Sequence, residues 1–136
     1  MANMDRRLTG LETLCKALAD RTRLRILGLL LDGEICVCHI HESLGVPQPK
    51  ASRHLAYLRR AGLVETRKDG QWVHYRLAAM EDPVMQALFD AAGHAIAHLE
   101  SGTRDRRRLA SRIELPARRP IPLASAPCCS ATRQDQ

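Results

Sequence analysis

Cys36 and Cys38 stand one residue apart, shortly before a segment that opens Pro47-Gln48-Pro49 and runs into Lys50, Ser52, Arg53 and His54. Paired thiolates select soft ions. Polar and cationic side chains at the start of a helix suit the base edges exposed in a DNA major groove. The two sets lie close enough together to suggest a switch, in which an ion binds and DNA is released. The thiol spacing also constrains the backbone. Residues i and i+2 of an α-helix point about 200° apart, so both sulfurs reach one ion only from a non-helical segment or a distorted first turn. Ile35-Cys36-Val37-Cys38 follows the Asp32-Gly33 break, which is such a place, and a helix N-terminus favours the thiolate form.

The elements that must carry these residues follow from periodicity. Leu8, Leu11, Leu14, Cys15 and Leu18 recur at helical spacing and predict a helix from Leu8 to Ala19 with Cys15 on its apolar stripe. Asp20 with Thr22 caps the next helix, Arg21 to Leu31, and Asp32-Gly33 stops it. A short helix from Cys36 to Leu44 ends at Gly45. Pro47 and Pro49 fit the first turn of another, which runs to Ala61 and turns Ala51, Leu55 and Leu58 inward. Between Leu63 and Leu77 the period changes to two around Asp69-Gly70, predicting a β-hairpin with a basic tip. Asp82-Pro83 opens a last long helix, ended by Ser101-Gly102.

Helices, hairpin and helix in this order predict a mainly α chain with a small β-hairpin, a winged helix-turn-helix. Its second helix presents Gln48, Lys50, Ser52 and Arg53 to the major groove, with His54 on a phosphate or base and Lys68 and Gln71 at the wing tip over the backbone or minor groove. Gln pairs with adenine and Arg or Lys with guanine, each pair contributing ~1–3 kcal/mol of discrimination.

Charge distribution agrees. The net charge is +6, yet residues 1–100 hold thirteen Lys or Arg against twelve acids. Within them, residues 48–76 hold seven basic residues against Glu65 and Asp69, so a basic patch sits on a mildly acidic body. The 136 residues suit one domain plus a tail. The domain is expected over 1–102, with 103–136 an Arg/Pro-rich flexible tail whose end carries the vicinal pair Cys128-Cys129. Within it the charge run Arg104 to Arg112 can extend the last helix, and its arginines are expected to be solvated, with phosphate contacts as the alternative. No apolar h-region opens the chain and no apolar run nears the ~20 residues that span a bilayer. The expected location is cytoplasmic, where closely spaced cysteines serve as ligands more often than as structural disulfides. With no phosphate loop, no Cys-X-X-Cys after a strand and no nucleophile–base set, an enzyme is not expected.

Leu18 to Leu27 (LADRTRLRIL), Gly33 to Cys38 (GEICVC), Gln48 to Leu55 (QPKASRHL), Gly62-Leu63-Val64 and Trp72 to Leu77 (WVHYRL) together resemble the ArsR/SmtB family of metal-responsive repressors, closest to its arsenic-responsive branch. The resemblance covers about Leu8 to Glu100. It implies a homodimer joined through the first and last helices of the domain, bound to double-stranded operator DNA and released by arsenic(III) or antimony(III), with no other cofactor. The family's arsenic pattern places a third cysteine three residues beyond the pair, where this chain has His41. Arsenic(III) favours three sulfurs in a pyramid, so the third is expected from Cys128 or Cys129. The stretch from Ser101 to Cys128 averages ~30 Å end to end as a flexible chain, so reach is no obstacle. The alternatives are a soft divalent ion held tetrahedrally by Cys36, Cys38 and His41, with His39 or a tail sulfur, and a redox sensor built on the same thiols. His94 and His98 are expected at the surface or in an interface, since Asp90 is followed by Ala92 where the family's zinc site needs histidine.

Overall fold

The computed structural model describes residues 2–118. Helix α1 (Ala2–Leu18) leads into α2 (Arg21–Leu29), which closes in a 3-10 turn, Leu30–Asp32. Strand β1 (Ile35–Cys36), helix α3 (Val37–Leu44) and helix α4 (Gln48–Arg60) follow. Strands β2 (Val64–Asp69) and β3 (Trp72–Leu77) form the hairpin, and α5 (Pro83–His98) and α6 (Glu100–Arg118) complete the described chain. This is a winged helix-turn-helix with an antiparallel sheet of order β1-β3-β2.

Local chemistry sets the boundaries. The Asp20 side chain accepts the Arg23 amide at 3.0 Å and caps α2. Asp82 caps α5 through the Val84 amide at 2.9 Å, with Pro83 in the first turn. Pro47 is the N-cap of α4 and Pro49 lies in its first turn. Gly45 ends α3 in the left-handed conformation, φ 69°. The core is aliphatic: Leu14, Ile26, Leu27, Leu29, Ile40, Leu55, Leu58 and Leu63 are all essentially inaccessible. Each such side chain contributes about 1.5–3 kcal/mol through burial. Helix α2 lies at the centre and approaches α5 closely, because Gly28 faces Ile96 with no side chain between them.

Several expectations are corrected. The sheet has three strands, since Ile35 and Cys36 pair with Tyr75 and His74; two residues are too few to show alternation in a sequence. Helix α1 starts at Ala2 rather than Leu8. Cys15 is exposed, not packed in the core. The hairpin loop is Gly70-Gln71, because Asp69 pairs with Trp72.

The largest difference is at the expected domain boundary. Gly102 lies inside a helix, so residues 103–118 belong to α6 rather than to a flexible tail, and the helical extension read over Arg104 to Arg112 is found and runs further. Asp105 is fully buried and accepts two hydrogen bonds from Arg25, each 2.7 Å. Arg106, Arg108 and Arg112, expected to be solvated, reach Asp32, the Ser43 carbonyl and Glu42. A charge run reads as solvated surface until its partners, more than sixty residues away, are known. Cys128 and Cys129 lie outside the described residues.

Candidate DNA-reading face and thiol pair

Helix α4 turns Ala51, Leu55 and Leu58 into the core, which leaves Lys50 and Arg53 exposed near its N-terminus. Gln48 is half-buried and its Nε2 donates to Ser52 Oγ at 3.2 Å. That bond holds the amide across the first turn. His54 does not share this open face: it is half-buried, with Nδ1 3.7 Å from Asp20 Oδ1. Burial pushes its imidazole below the ordinary histidine value, and Asp20 only partly opposes this. At the wing, Lys68 near the end of β2 and Gln71 in the Gly70-Gln71 loop are exposed.

Two arginines beside this face serve other partners. Arg67 grips Glu34 through Nε at 3.0 Å and Nη2 at 2.5 Å, fixing the wing to the residue that precedes β1. Arg23 donates to the Ala17 and Lys16 carbonyls at the end of α1 and stacks on the Tyr57 ring at 4.0 Å. The wing's exposed Lys68 is therefore distinct from Arg67, which is an anchor.

The two cysteines take the placement that their spacing demands. Cys36 is extended, φ −69° and ψ 144°, and is both the last residue of β1 and the N-cap of α3. Cys38 lies in the first turn of α3. The two sulfurs are 3.3 Å apart and both residues are buried. His41 is not brought to them: its Nδ1 donates to the Val46 carbonyl at 3.2 Å, across the turn between α3 and α4. Among the described residues, no group of three His, Cys, Asp or Glu side chains is arranged to hold a metal ion. His39 is half-buried, and desolvation lowers its pKa, with Glu42 opposing. His98 Nδ1 donates to the His94 carbonyl at 2.7 Å, and both histidines are exposed, as expected.

Residues 20–66, from the α2 cap to the third residue of β2, match the bacterial regulatory protein, arsR family. The solved structure of reduced HlyU from Vibrio cholerae N16961 superposes with a TM-score of 0.59 at 36% identity, over 70% of this chain and 97% of that one. The chain belongs to the ArsR family. A second neighbour is the homodimeric winged helix-turn-helix DNA-binding domain Mb0332 from Mycobacterium bovis, described as a possible ArsR-family transcriptional regulator. It has a TM-score of 0.57 at 36% identity, over 71% of this chain and 87% of that one. The arsenical resistance operon repressor of Escherichia coli K12 is 58% identical over 66 residues, which are 48% of this chain and 56% of the repressor. The chain spans about half the length of three such curated arsenical regulators, 49–56%. Among the described residues no helix is long and apolar enough to cross a membrane.

The features that sequence reasoning missed are structural rather than chemical. Strand β1, the Glu34–Arg67 anchor and the Arg25–Asp105 pair gave no local signal. Asp105 was visible only as a single acid within a run of arginines.

Proposed function

We propose that this ArsR-family chain is a homodimeric repressor that binds operator DNA and is released by arsenic(III) or antimony(III) at Cys36 and Cys38. The observation that carries the reading is the thiol pair itself. Two sulfurs 3.3 Å apart sit at the start of the helix that supports the reading helix. With metal–sulfur bonds of about 2.3 Å, a tetrahedral ion needs sulfurs ~3.8 Å apart. At 3.3 Å the two sulfurs already stand close to that span, so one soft ion can take both with little movement. The engagement of His41 with Val46 counts against the divalent set.

The third sulfur comes from Cys128 or Cys129. Successive α6 side chains meet α3 in reverse order: Asp105 beside Arg25, which bonds the Leu44 carbonyl, then Arg108 on Ser43, then Arg112 on Glu42. Helix α6 therefore runs antiparallel to α3 and heads toward its thiol-bearing end. From Arg118 to Cys128 an extended chain spans about 33 Å.

In the reading of operator DNA, Lys50 and Arg53 meet base edges or phosphates, Gln48 is oriented by Ser52, and Lys68 and Gln71 meet the flanking groove. His54 supports α4 from the Asp20 side. The second protomer docks on the apolar face shared by α1 and α5, where Leu8 is 63% and Val84 68% exposed. That docking sets two reading helices about 34 Å apart, one turn of DNA.

Cys36→Ser and Cys38→Ser test the assignment on a duplex selected by the wild-type protein from a random library. Arsenite should weaken wild-type binding by about 150-fold, the upper range of allosteric coupling, and should leave both variants bound. Release of the variants equal to wild type would remove the thiol pair as sensor. Sulfur-to-arsenic absorbance should fall in the Cys128→Ser/Cys129→Ser double variant from three thiolates to two. A redox reading of the same pair rests on the same 3.3 Å approach; release by peroxide with no response to arsenite would select it.

A further inference from the structure

The turn between α3 and α4 is held from behind by α6. A helix ends with four carbonyls that lack intrahelical partners, and two of those at the end of α3 are taken by arginines. Arg25 Nη2 donates to the Leu44 carbonyl at 2.9 Å, and Arg108 Nη1 lies 3.5 Å from the Ser43 carbonyl. Cations at a helix C-terminus also suit its dipole. Arg25 is itself fixed by Asp105 of α6, which raises its pKa through that hydrogen bond.

Helix α6 is fitted to this position along its length. Arg106 pairs with Asp32, and Arg112 pairs with Glu42 at 2.6 Å. At the α5–α6 junction a Cβ on Gly102 would lie 1.9 Å from the Ile96 carbonyl oxygen, so this approach admits only glycine. The one helix thus touches the turn that sets the angle of α4 and runs toward the thiol-bearing end of α3.

We propose that α6 is a regulatory brace: docked through the Asp105–Arg25 lock it holds α4 in its DNA-reading posture, and its displacement lowers operator affinity. As a relay for the metalloid signal it rests on the functional reading above.

Full-length variants decide this, with the library-selected duplex as probe and fluorescence anisotropy as readout. Arg112→Glu reverses an exposed charge pair and leaves the core alone. It should weaken metal-free binding three- to tenfold, and adding Glu42→Arg should restore it. Asp105→Asn should weaken binding at least tenfold. It should also shrink the further effect of arsenite to less than tenfold, with sulfur-to-arsenic absorbance per protein unchanged. Gly102→Ala should act as Asp105→Asn does. Variants that stay helical by circular dichroism, bind the duplex within twofold of wild type and release fully on arsenite would overturn the brace. If wild type ignores arsenite, the metalloid reading falls instead. The metal-free loss in Arg112→Glu and its rescue then still decide whether α6 sets operator affinity.

Discussion

His54 shows why a residue's type and position in a motif do not by themselves give its role. It sits among Lys50, Ser52 and Arg53 in sequence, yet it is turned toward Asp20 and the cap of α2. Burial, with Arg23, Lys50 and Arg53 nearby, holds the ring neutral to lower pH than in the unfolded chain. Protonation therefore favours unfolding. The stability tied to the neutral ring is present above the unfolded value near ~6.5 and is lost as pH falls through and below it. His54→Gln should flatten the fall in melting temperature between about pH 7.5 and 5.5. A slope identical to wild type would return His54 to the solvent-facing, DNA-contacting role that its place in the motif first implied. Gln48 makes the opposite case: the i, i+4 spacing to Ser52 is legible in the sequence, and the structure shows the bond it allows.

At the scale of elements, the helices with apolar periodicity were legible because periodicity reports the core. Every such helix exists, and the caps at Asp20 and Asp82 lie where side-chain chemistry puts them. What was hidden depended on partners distant in the chain: a two-residue strand completed by β3, and the docking of the arginine-rich helix through a buried aspartate paired with Arg25. The placement of the thiols was legible for the same reason that it was constrained, since i, i+2 geometry excludes regular helix. Helix contacts also separate two glycines that look alike in sequence. A Cβ at Gly28 would come within 2.7 Å of Ile96 Cγ2, on a stiff β-branched side chain that is itself buried. At Gly93 it would meet Leu31 Cδ2 at 2.8 Å, the end of a partly exposed and flexible side chain. Alanine gains up to ~1 kcal/mol in helix propensity over glycine, whereas overpacking costs about 1–3 kcal/mol. Gly28→Ala should lower stability by about 1–2 kcal/mol, while Gly93→Ala should change it by less than ~0.5 kcal/mol. Urea titration of both variants checks the difference, and equal midpoints would mean that α2 and α5 separate more easily than their packing implies.

For the whole molecule, charge and apolar surface divide the labour. Lys50, Arg53 and Lys68 are exposed on α4 and the wing, and Met4, Leu8, Val84 and Leu88 remain uncovered on α1 and α5. Arg7 and Asp82 bridge those helices at 2.9 Å beside the apolar patch. Placing carboxylates there, as Leu8→Glu/Val84→Glu, should convert the protein to monomer in sedimentation velocity. It should also weaken operator binding by about 100-fold or more, because the second half-site no longer adds its share. A double variant that sediments as the wild type does would move the interface elsewhere.

Trp72 is the chain's single tryptophan, placed where β3 leaves the wing tip and stacked 6.4 Å from the His74 ring. His74 in turn lies opposite Cys36 in the ladder. The protein accordingly carries one tryptophan, two residues along β3 from the partner of Cys36 and beside the Gly70-Gln71 loop. Under the function proposed above, its emission should change on capture of a metalloid and on seating at a promoter, so that an unlabelled sample in a cuvette can follow both in the same titration.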